Sequence, residues 1–84
     1  MPAPQKRPKS RHSARYVRLL QALRAARQEA GLTQVEVAKH FRSQASFISK
    51  VESGERRIDV VELADFCHLY GIRMVAFLKK VGIE

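Results

Sequence analysis

From Ser13 onward, apolar side chains recur at helical spacing. Tyr16, Leu20, Leu23, Arg27 and Ala30 fall on one stripe, with Leu19 and Ala26 beside it. Ser13 supplies a hydroxyl to cap the start. Gly31 follows the last periodic position, where a left-handed residue ends a helix and lets Leu32 fold back on it. Thr33-Gln34-Val35-Glu36 then has the Thr-x-x-Glu form of a capping box, with Leu32 and Val37 placed as its hydrophobic staple. A second helix must therefore begin almost where the first stops. Its apolar positions, Val37, Ala38 and Phe41, run out at Phe41.

A third helix is predicted over Gln44 to Ser53, stopped by Gly54. Ile48 and Val51 point inward, and Ser46, Lys50 and Ser53 lie roughly opposite at about 100° per residue. Phe47 borders the apolar side and reads as an edge of the core. Asp59-Val60-Val61-Glu62 is a second capping box with Ile58 and Leu63 as staple, and Leu63, Phe66, Cys67 and Tyr70 continue inward until Gly71. Residues 73 to 81 predict a last short helix in which Met74, Val75, Phe77, Leu78 and Val81 leave little polar surface. Such a helix carries more apolar surface than one small core needs, which points to a second copy of the chain. No alternating strand pattern competes. The expected fold is all-α, with five helices.

Eighty-four residues accommodate one domain. Charge adds what periodicity cannot: 16 basic against 8 acidic residues leave a formal +8, so a polyanion is the partner to expect. Residues 1 to 18 carry Lys6, Arg7, Lys9, Arg11, Arg15 and Arg18 and no acid. Within them, residues 1–12 hold all three prolines and read as a disordered basic arm ahead of a folded domain at 13–84. Cys67 is the single cysteine, so no intrachain disulfide can form, and a small core residue is its expected role. No apolar run approaches the roughly 18 residues that span a bilayer, and the N-terminus lacks a signal-peptide pattern. A cytoplasmic, nucleoid-associated protein with no membrane contact is expected.

Two helices joined by a few residues, the second with a small polar face and a basic loop after it, present a helix to the major groove. That groove, about 12 Å wide, admits one helix, and short outward side chains let its backbone approach the base edges. Ser46, Ser49, Lys50 and the flanking Ala45 meet this need. Lys50 can donate to guanine, the serines can donate or accept, and Ala45 can meet a thymine methyl. Gln34 opens the second helix and, with Arg56 and Arg57 after Gly54, is placed for phosphate.

Leu32-Thr33-Gln34-Val35-Glu36-Val37-Ala38, followed by the run from Ser46 to Arg57, resembles the phage repressor and Cro (Xre-like) helix-turn-helix family. The likeness extends over roughly residues 19 to 78. It implies a five-helix, lambda-repressor-like domain whose second and third helices read double-stranded DNA. Carried over by position, it implies that Gln34 and Ser53 touch phosphate, and that Ala45, Ser46, Ser49 and Lys50 face bases. It further implies a structural pair between Arg27 and Glu52. Arg42 stands where the family has its turn glycine, which implies a differently shaped turn. Ala45 replaces a hydrogen-bonding residue, shifting readout toward Gln44, and Ile58 replaces a proline.

Catalysis finds no support. His12, His40 and His68 are scattered, Cys67 has no CxxC partner, and neither a metal-ligand pattern, a cofactor fingerprint nor a nucleophile motif occurs. The sequence points instead to a dimeric transcriptional repressor without cofactor. The rival is an antitoxin or accessory subunit that mainly holds a protein partner, with DNA binding secondary.

Overall fold

The computed structural model describes residues 13–83. These form five helices and no strand: α1 Ala14–Glu29, α2 Gln34–His40, α3 Ala45–Ser53, α4 Val60–Tyr70 and α5 Met74–Lys80. The anticipated basic arm, with Lys6, Arg7, Lys9 and Arg11, lies outside the described residues.

Local chemistry sets each boundary. Ser13 Oγ accepts from the Tyr16 amide at 3.1 Å and starts α1. At its other end Gly31 takes φ 74°, and the Leu32 amide bonds back to Arg27 O at 3.1 Å, turning Leu32 onto the core. Both capping boxes form as pairs. Thr33 and Glu36 satisfy each other's amides at 2.8 and 3.1 Å, and Asp59 and Glu62 do so at 3.1 and 2.7 Å. Gly54 and Gly71, both left-handed, end α3 and α4.

Three boundaries move by a residue. Gln44, expected inside the third helix, is extended and serves as its N-cap without a side-chain bond. The last helix starts at Met74 and ends at Lys80, inside the expected 73 to 81.

The core gathers one face from every helix. Leu23, Val37, Ile48, Val51, Phe66 and Cys67 are each no more than 1% exposed. Phe66 is its hub, 4.5 Å from the Phe41 ring and 6.0 Å from Tyr70. Burying each such side chain stabilises the fold by about 1.5 to 3 kcal/mol. Burial also pushes the Cys67 thiol above its ordinary range, which fits a packing role.

α5 differs from expectation in a way that matters for assembly. Phe77 and Val81, expected on a shared apolar surface, are 6% and 7% exposed and belong to this chain's own core. Met74 and Leu78 are half-buried against that core, and Val75 alone of the five stands out, 75% exposed.

The turn between α2 and α3 also departs from the sequence reading. Arg42 takes φ 52°, the left-handed conformation a glycine would adopt. The turn is thus not reshaped; the arginine bears the strain, at roughly 1 to 2 kcal/mol.

Candidate nucleic-acid interface

α2 and α3 pack against each other, and α3 also lies on α1. Ile48 and Val51, both 0% exposed, fix the inner side of α3. The spacing of the helix then leaves Ser46, Ser49, Lys50 and Ser53 exposed on its outer side. Gln44, just ahead of the helix, is exposed too, whereas Ala45 is half-buried and offers only part of its methyl surface. Phe47 packs against Phe41 and Phe66 at ring separations of 5.8 and 6.4 Å, which makes it an anchor for α3.

Small side chains dominate this outer face, so nothing bulky keeps the α3 backbone from a flat or grooved surface. Lys50 is its cation, with no acidic partner among the described residues. Ser53 lies at the C-terminal end, its hydroxyl donating to Lys50 O at 3.2 Å and accepting from the Glu55 amide at 3.4 Å.

Behind the face sits the ion pair implied by the resemblance. Arg27 on α1 donates to Glu52 on α3 through Nε at 2.6 Å and Nη2 at 3.2 Å, with side chains only 9% and 6% exposed. Its Nη1 reaches Leu32 O at 2.8 Å, so the guanidinium ties α1, α3 and the loop before α2 together. The bond from Glu52 holds the Arg27 pKa above its ordinary value.

A third member joins this pair. Gln34 Nε2 donates to Glu52 Oε1 at 3.0 Å, locking the first residue of α2 to α3. Sequence reasoning placed Gln34 at a phosphate and missed this bond, since no local spacing links residues that far apart. One Nε2 hydrogen remains for an outside acceptor.

The loop after α3 divides its two arginines. Arg56 forks onto Glu62, Nη1 to Oε1 at 3.0 Å and Nη2 to Oε2 at 2.9 Å, and lies 4.6 Å over the Phe47 ring. That bond raises the Arg56 pKa and lowers that of Glu62, so Arg56 offers less free charge than the sequence suggested. Arg57 instead stacks 4.5 Å over Tyr16, whose hydroxyl accepts from the Ile58 amide at 3.1 Å. A ring leaves the guanidinium its donors. Neither loop contact has a sequence signature: both join residues that no helical period relates.

The sequence model of the family described as "Helix-turn-helix domain" matches residues 18–74, which include the whole α2, α3 and loop unit. The chain belongs to the XRE-like helix-turn-helix family. An XRE-family like protein from Pseudomonas syringae pv. tomato str. DC3000 superposes with a TM-score of 0.77 at 47% identity, over 81% of this chain and 83% of that one. The clp gene regulator ClgR from C. glutamicum superposes with a TM-score of 0.72 at 27% identity, over 84% and 91%. No curated protein gives a match.

As an XRE-like protein the chain is a DNA-binding transcriptional regulator, not an enzyme. Among the described residues no group of His, Cys, Asp or Glu is gathered to hold a metal ion, and no helix is long and apolar enough to cross a membrane.

Proposed function

We propose that the protein is a sequence-specific repressor that binds double-stranded DNA as a homodimer in the cytoplasm, at the nucleoid, with α3 in the major groove. The observation that carries this reading is the outer face of α3, where Ser46 and Lys50 are exposed roughly opposite the fully buried Ile48 and Val51, with the exposed Ser49 beside them. Lys50 donates to guanine acceptors, the serines bond to base edges, and Ala45 and Gln44 reach bases at the N-terminal end of the helix. Gln34, through its remaining amide hydrogen, together with Ser53 and Arg57, holds phosphate and fixes the register. Arg56 joins them only by loosening its bond to Glu62. Lys6, Arg7, Lys9 and Arg11 add phosphate contacts beside the main site and steepen the salt dependence.

The dimer contact assigned to α5 narrows to Val75 with Leu78 and Met74, because Phe77 and Val81 are already buried in the protomer. Two copies related by a two-fold axis place their α3 helices about 34 Å apart. Selection from a pool of random duplexes at moderate salt tests the reading. A two-fold consensus with half-sites one helical turn apart is the expected result. No enrichment favours instead the antitoxin or accessory role, in which a protein partner is the main target.

A further inference from the structure

A groove of about 600 Å³ runs between α1 and α5, and nothing in the DNA reading uses it. On α1 it is lined by Arg18, Gln21, Ala22, Ala25, Ala26 and Glu29, a complete stripe at helical spacing. From Arg18 to Glu29 that stripe runs about 16 Å, roughly three helical turns. Ala76, Phe77 and Val81 supply the α5 side. Four alanines among its lining residues project little into the groove, which lets another backbone approach closely.

Its rim is predominantly positive. Arg18, Arg73 and Lys80 stand around it against the single acid Glu29, and Arg73 and Lys80 have no acidic partner among the described residues. A second copy seated face to face in the same groove would bring these cations together. The exposed Val75 assigned to the dimer projects about 160° around α5 from Phe77, away from the groove wall at Ala76 and Lys80. Dimerisation through Val75 therefore leaves the groove open.

We propose that this groove docks an amphipathic helix of a partner protein, about three turns long, with apolar residues on one side and Asp or Glu flanking them. Small apolar side chains at i, i+3, i+4 and i+7 settle over Ala22, Ala25 and Ala26, while the flanking acids meet Arg18, Arg73 and Lys80. Such a contact gives a regulator of this size a route for control by another protein.

Panning phage-displayed random peptides of roughly 15 residues on the full chain, with counter-selection against an Arg73→Glu, Lys80→Glu variant, tests it. Recovered peptides should share spaced apolar residues flanked by acids. A synthetic copy should bind at least about tenfold more weakly to that variant and to Ala25→Trp, and should shift the amide resonances of Ala22, Ala26 and Ala76. Circular dichroism of each variant establishes that it is folded. Peptides without acids, or binding indifferent to both variants, overturn the assignment. So does a dimer that dissociates on Ala25→Trp, which puts a second copy in the groove, or saturable dodecanoate binding at the same resonances with no peptide enrichment. All readouts are made without DNA, so failure here leaves the α3 reading intact, and failure of operator selection leaves the groove intact.

Discussion

Gln34 Nε2 and Glu52 Oε1 lie 3.0 Å apart, and the carboxylate that receives this bond also receives the Arg27 guanidinium. The first residue of α2 is thereby held to α3 by the same acid that holds α3 to α1. The position of α3 and that of Gln34, proposed above to hold phosphate, are thus coupled through one side chain.

Replacing Glu52 by Ala strands the Arg27 charge at a site where it is 8% exposed, and should destabilise the fold by about 3 to 5 kcal/mol. Gln34→Ala leaves the ion pair intact, so it should lower DNA affinity with at most about 1 kcal/mol lost in stability. Urea unfolding and a DNA titration on the same samples separate the two. A mild Glu52→Ala phenotype would show that the pair is not buried in solution.

Arg42→Gly should stabilise the protein. Relief of the left-handed strain at φ 52° is worth about 1 to 2 kcal/mol, and the greater freedom of glycine in the unfolded chain takes back about 0.4 to 1. The predicted gain is a rise in urea midpoint with unchanged slope. A fall in the midpoint would mean that the arginine side chain contributes more than its backbone loses.

Much of this is legible in the sequence. Thr33 with Glu36 and Asp59 with Glu62 announce two helix starts, and Gly54 and Gly71 two stops, because capping is local chemistry written within a few residues. Ile48 and Val51 likewise fix which way α3 faces. What stayed hidden is nonlocal. The Gln34 to Glu52 bond, the Arg56 fork on Glu62 and the Arg57 contact with Tyr16 join residues whose proximity only the packed fold creates. Phe77 and Val81 look like dimer residues in sequence because hydrophobicity alone does not say whose core a side chain enters.

Acid should weaken the loop after α3 through Glu62, whose folded-state pKa is lowered first by the Arg56 bond. A depressed carboxylate pKa contributes stability that is present above the unfolded value near 4.3 and is lost as pH falls through the folded value. The pair is partly exposed, 43% on the arginine side, so its contribution is modest. Glu62→Gln should flatten the decline in stability below about pH 4.5, measured by urea unfolding across an acid series. A decline identical to wild type would assign acid sensitivity to other carboxylates.

Val75→Glu should turn the proposed dimer into a monomer in sedimentation equilibrium, because a charge on the exposed side of α5 must be desolvated to form the contact. Stability of the monomer should hardly change, since Val75 is 75% exposed. A variant that remains dimeric would place the two-fold contact on another surface.

The most direct test of α3 as the reading head is a titration of the selected duplex with wild type and with a Ser46→Leu, Lys50→Glu double variant. Both positions are exposed, so the fold should persist, as near-wild-type unfolding would verify. With each good base contact worth about 1 to 3 kcal/mol, the variant should bind the selected site about a hundredfold or more weakly. It should also lose discrimination against random sequence. Undiminished affinity and specificity in a folded variant would contradict the account.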